Sequence, residues 1–106
     1  MNNDLKIITS RIDLLFKRKS NTRYWLQVAN DTYDQTFNFF FLSQKPYQRL
    51  RCTPIHTVTN YNLGNLETLL TGVNQAYKLT IDYTQFYGLR WPRSQRLIQK
   101  RRHSLE

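Results

Sequence analysis

The residues of this chain best suited to chemistry are cationic. Arg90, Trp91, Arg93, Arg96, Lys100, Arg101 and Arg102 crowd its last stretch, and residues 89–103 hold 6 of the 16 lysines and arginines with no acid among them. Arginine presents a planar fork of donors that matches phosphate oxygens. Trp91, flanked by Arg90 and Arg93, adds a ring on which an exposed base can stack. A second basic knot is Lys17-Arg18-Lys19, with Arg23 close behind. The formal net charge is +9, of which residues 90–106 carry +5 and residues 1–89 carry +4. Charge placed this unevenly draws in polyanions by steering and counterion release. DNA or RNA is therefore the expected partner, held through Arg90, Trp91, Arg93, Arg96, Lys100, Arg101 and Arg102 and through Lys17, Arg18, Lys19 and Arg23. Phosphate contacts of this kind give affinity rather than sequence reading. The competing readings are a basic surface kept for solubility and a tail that docks on an acidic protein partner, as in an accessory subunit of a larger complex.

Catalytic patterns are sparse. His56 and Asp82 are each expected in a strand and could meet in space, but no G-x-S-x-G nucleophile motif accompanies them. Outside the terminal Glu106 there are 5 Asp and 1 Glu, without spacing for paired acid–base work or a hard-metal site. No glycine-rich phosphate loop is present. Small basic endoribonucleases, such as the toxins of toxin–antitoxin pairs, work with Arg, Lys, Tyr and His without a fixed motif. That enzymatic alternative shares the size and charge of this chain and nothing more specific. Cys52 is the only cysteine, so no internal disulfide forms. Cys52 and His56 are four apart, but Pro54 between them opposes a shared helical face, so no metal or other cofactor is expected. No apolar run approaches the roughly 20 residues of a membrane span. The N-terminus lacks signal-peptide character, and the expected location is cytoplasmic, with no membrane partner.

These residues must be held by a small α+β domain. Aromatic residues make up 14% of the chain, and each can bury roughly 150–250 Å². Residues 1–89 read as the compact domain and 90–106 as a basic, mobile tail. The expected sheet has four or five strands, mainly antiparallel. Residues 35–42 are the strongest strand, with Phe37, Phe39 and Phe41 on the core face and Phe40 on the other. That strand has no glycine or basic residue of the kind that base-stacking sheets interleave, so core packing is its expected use. Residues 62–77 form the main helix, with Leu63, Leu66, Leu69, Leu70, Val73, Ala76 and Tyr77 as its apolar stripe and Asn62 or Gly64 as its cap. A strand over 78–83 places Leu79, Ile81 and Tyr83 on the core face, and residues 55–59 alternate as another. A short helix is expected near 44–51, capped by Ser43.

Residues 5–17 carry two patterns. Leu5, Ile8, Ile12 and Leu15 recur at helical spacing behind Asn3 or Asp4. Ile12, Leu14 and Phe16 alternate, and Ile7, Ile8, Thr9 and Ile12 are β-branched. The expectation is a hairpin in which residues 10–17 pair with 23–29. After Gly88 the composition shifts, and Pro92 can open a helix with Arg93, Arg96, Lys100 and His103 on one face.

Overall fold

The computed structural model describes residues 3–16 and 21–99. It begins with a helix, α1, over Asn3–Leu15. Of the two patterns there, the helical one forms. Ile8 and Ile12 are fully buried, and Leu5 and Leu15 pack beside them. Intrinsic propensity disfavours β-branched residues in a helix by only about 0.7 kcal/mol or less each. Burying an isoleucine side chain contributes about 1.5–3 kcal/mol, so tertiary burial decides. The hydroxyls of Thr9 and Ser10 bond back to the carbonyls of Leu5 and Lys6, at 2.9 and 2.8 Å, which settles these polar side chains within the helix. The expected hairpin of residues 10–17 with 23–29 is therefore absent.

Residues 23–29 instead lie in β1 (Arg23–Asp31), which pairs antiparallel with β2 (Thr36–Gln44) and parallel with β4 (Thr80–Thr84). The four-stranded sheet runs β3-β2-β1-β4, with β3 over Arg51–Val58. No fifth strand accompanies it among the described residues. The β1–β2 turn is fixed by Asp31, whose carboxylate accepts from the backbone N–H groups of Tyr33 and Asp34 at 3.1 and 3.0 Å, a local bond that favours Asp in turns.

The short helix expected near 44–51 does not form. Ser43, its presumed cap, is a strand residue opposite Tyr24 on one side and Arg51 on the other. Pairing with two neighbours satisfies the backbone that a two-turn helix would leave half-satisfied. Residues 45–50 are the β2–β3 loop, and β3 begins four residues earlier than the expected 55. Pro54 is tolerated because β3 is an edge strand. The pairing shifts between Phe39, opposite His56, and Phe40, opposite Pro54, leaving Ile55 as the extra residue of a bulge.

The second helix, α2, spans Leu63–Ala76, within the expected range. Asn62 caps it by accepting from the Asn65 N–H at 3.0 Å. Leu66, Leu69, Leu70 and Val73 are buried. Gly72 faces Leu5 of α1, whose methyl would lie 2.7 Å from an added Cβ, so the closeness of the helices explains this glycine. One core results. Leu26 and Val28 of β1, Phe37, Phe39 and Phe41 of β2, and Ile55 and Val58 of β3 meet α1 and α2.

The C-terminal stretch is part of that body as far as Gln99. Phe86 is fully buried, stacked on Phe37 at 5.9 Å and edge-on to Tyr83 at 5.7 Å. Gly88, at φ 87°, turns the chain, a conformation that suits glycine. Residues 89–98 then run out and back. Trp91 N–H donates to the Arg96 carbonyl at 3.0 Å, and Ile98 N–H to the Leu89 carbonyl at 3.1 Å. Residues 92–94 form a turn rather than the first turn of a helix, so no helical face gathers Arg93 and Arg96. Ile98 is buried at 6% exposure, and the buried Gln99 side chain accepts from the Phe86 N–H at 2.9 Å. The expected tail boundary at residue 90 thus falls inside a packed segment.

Candidate nucleic-acid interface

Of the expected contact residues, Arg23, Arg90, Trp91, Arg93 and Arg96 are described; Lys17, Arg18, Lys19, Lys100, Arg101 and Arg102 lie outside the described residues. Arg23 is exposed at the start of β1, with its guanidinium 5.0 Å from the Trp25 ring. Arg90 donates to the Gln95 carbonyl at 2.7 Å and so braces the 89–98 excursion. The excursion tip docks on α2: Arg93 N–H donates to the Glu67 carboxylate at 3.1 Å, and its guanidinium reaches Thr68 Oγ1 at 3.4 Å. Arg96 is exposed. Trp91 is half-buried, edge-on to Tyr83 at 5.7 Å, and so presents less of its ring to a base than the sequence suggested. Arg23 and the described tail arginines are not brought together. The first sits at the start of β1, and the others lie past the end of β4, Arg93 against α2.

What joins Arg23 instead is a group the sequence reading passed over. β1 starts opposite the end of β2, with Arg23 across from Gln44. The β2–β3 loop leaves from this end. Two hollows flank it and share Lys45. One, of about 280 Å³, is lined by Lys45, Arg49 and Arg51 together with Leu14, Leu15, Thr22, Tyr24, Ser43 and Gln48. The other, of about 240 Å³, is lined by Asn21, Arg23, Gln44, Lys45, Pro46 and Tyr47. Among the described residues, no acid lines either. The signal in the sequence was an absence: residues 35–66 contain Lys45, Arg49 and Arg51 but no Asp or Glu.

The β1–β2 hairpin is consequently polarised. Asp31 and Asp34 occupy its turn, and Arg23 and Lys45 its open end. Nine-residue strands separate the two by roughly 30 Å, about three Debye lengths at 0.1 M salt. The acidic turn therefore leaves the basic end unneutralised. Ion pairing is also scarce. Among the described residues the one contact at ion-pair distance is His56 Nε2 with Asp4 Oδ1 at 2.7 Å. None of the described lysines and arginines has a carboxylate at ion-pair distance.

His56 is tied to α1 by that contact, and Arg11 of α1 donates to the Ile55 carbonyl at the bulge. The conjectured His56–Asp82 pair does not form. Strands β3 and β4 are the two edges of the sheet, roughly 14 Å apart at three interstrand spacings. Cys52 is exposed, and no group of three or more His, Cys, Asp and Glu is placed to hold a metal among the described residues. Within them, no helix is long and apolar enough to cross a membrane.

Burial pushes the Tyr83 phenol up to about 12 from its usual 10. A raised pKa in the folded state means that the unfolded chain ionises first. Stability is fully present below pH 10 and is lost as pH rises towards 12, by about 2–3 kcal/mol over that window. Urea unfolding at closely spaced alkaline pH should show this fall, and Tyr83→Phe should flatten it; an equally steep fall in the variant would assign the effect elsewhere.

Scans against family models, curated proteins and solved structures find no match for this chain.

Proposed function

We propose that the protein is a small nucleic-acid-binding domain that holds DNA or RNA by its phosphate backbone, without catalysis. The observation that carries this reading is the set of cations left without carboxylate partners, in a chain of net charge +9. Arg23, Lys45, Arg49 and Arg51 supply one group, and Arg90, Arg93 and Arg96 of the C-terminal excursion a second. Lys17, Arg18, Lys19, Lys100, Arg101 and Arg102 belong to the same proposal by sequence. Charge of this density stabilises a polyanion by releasing condensed counterions.

The test is binding of labelled single- and double-stranded oligonucleotides to the full chain, with nuclease-treated protein as starting material. Binding at low salt that weakens as salt rises is the expected result. A protein retained from a nuclease-treated extract, with no oligonucleotide affinity, would point to an acidic protein partner instead. Turnover of RNA would point to the endoribonuclease reading.

A further inference from the structure

We infer that the β2–β3 loop is a single-strand grip, with Lys45, Arg49 and Arg51 around one phosphate and Tyr47 stacked on an unpaired base. This rests on the nucleic-acid reading above and deepens it, because it names the site and the strandedness of the ligand.

The 280 Å³ hollow is built by the fold rather than by chance on a flat surface. Tyr24, Ser43 and Arg51 are cross-strand neighbours on β1, β2 and β3. Their alternation with Leu26 and Phe41 puts them on the helix-bearing face of the sheet. Leu14 and Leu15, at the carboxyl end of α1, form the facing wall. Lys45 and Arg49 close it from the loop. The side chains of Lys45, Arg49 and Arg51 make no hydrogen bond or ion pair among the described residues, so their donors are available to a ligand. The end of α1 favours a cation nearby, but its partial charge is only about half an electron charge. One cation answers that; three do not. Two or more guanidinium and ammonium groups converging on a polar hollow suit phosphate.

Tyr47 makes the case for a strand rather than a free anion. Its side chain is fully solvent-exposed, at 106% relative exposure, and its backbone sits at φ 63°. That left-handed conformation is uncommon for a bulky residue. Tyr47 has no ring partner among the described residues. It lines the second hollow with Arg23, and Lys45 is shared by both. Phosphate site and ring thus belong to adjoining hollows joined at Lys45. A paired base is closed within its duplex, whereas an unpaired base can leave its strand and stack on a tyrosine.

The experiment measures fluorescence anisotropy of labelled single-stranded RNA, single-stranded DNA and the matching duplex on the full chain. The variants are Arg49→Ala with Arg51→Ala, Tyr47→Ala, Tyr47→Phe, and Arg90→Ala with Arg93→Ala and Arg96→Ala. Thermal melts check that each folds. Tyr47→Ala should weaken single-strand binding about tenfold, leave the salt slope unchanged and leave the duplex unaffected, while Tyr47→Phe binds as wild type. The Arg49 and Arg51 variant should lose about tenfold and flatten the salt slope by about one. The RNA and DNA arms decide which strand is preferred. Loop variants that bind as wild type, with loss confined to the Arg90, Arg93 and Arg96 variant, would overturn the grip and leave the nucleic-acid reading standing. Equal loss on the duplex, or displacement of the strand by polyglutamate at equal charge, would also overturn it. A wild-type chain that binds no oligonucleotide would remove the underlying reading itself.

Discussion

Phe86→Ala should destabilise the protein by about 3–5 kcal/mol, a large part of the total stability of a domain this small. Phe86 is fully buried and joins three parts of the molecule. Its ring continues a stack that runs from Tyr61 through Phe37, with centroids 4.9 and 5.9 Å apart. Its edge contact with Tyr83 reaches β4, and its backbone N–H is satisfied by Gln99. Removing the ring leaves a cavity under the sheet and loosens the contact that seats the C-terminal stretch. Urea unfolding monitored by circular dichroism is the check. A loss below about 1 kcal/mol would mean that residues 85–99 do not share the core.

The second large effect separates packing from charge at the C-terminus. A chain ending after Leu89 should lose about 3–6 kcal/mol relative to one ending after Gln99. Burial of Ile98 accounts for about 1.5–3 kcal/mol. The Phe86 N–H, buried and deprived of the Gln99 acceptor, costs about 1–3 kcal/mol more. The docking of Trp91 against Tyr83 is lost as well. The chain ending after Gln99 keeps all of these contacts and lacks only Lys100, Arg101 and Arg102 among the cations. Unfolding midpoints of the two truncations measure the difference directly. Equal midpoints would contradict the packing of 90–99. The practical consequence is that removing residues 90–106 cannot test binding cleanly, since it unsettles the fold together with the charge.

Where one local pattern stood alone, the sequence was legible. The stripe from Leu63 to Val73 has a single reading, and of its two candidate caps, Asn62 and Gly64, Asn62 is the one used. Phe37, Phe39 and Phe41 alternate too strongly to be anything but the buried face of a central strand. Residues 5–17 supported two periods at once, and over Asn3–Leu15 only the presence of α2 and the sheet as packing partners selects the helix. Ser43 has the chemistry of a helix cap, but its fate is set by pairing across strands with Arg51 and with Tyr24, the latter far from it in sequence. Non-local pairing of that kind leaves no trace in a local window.

The candidate site was half legible for a related reason. Runs of charge stand out, and Arg90, Arg93, Arg96 and Lys17-Arg18-Lys19 drew attention as runs. Lys45, Arg49 and Arg51 are spaced singly and become a cluster only when a loop and two strand ends gather them. Composition also hid the packing of residues 90–99. A glutamine near a basic run reads as solvent-facing, yet Gln99 is buried because the Phe86 N–H needs an acceptor. Trp91 reads as a free ring, yet it packs edge-on to Tyr83.

Salt tests most directly the proposal that unneutralised cations make this domain a nucleic-acid binder. Affinity of the full chain for a labelled single-stranded oligonucleotide should be measured at 50 and at 200 mM salt. With about 6–10 phosphates neutralised, it should fall by about 10²–10⁴-fold between the two, along a straight log–log line. No detectable binding at 50 mM, or an affinity that salt leaves unchanged, would contradict the account.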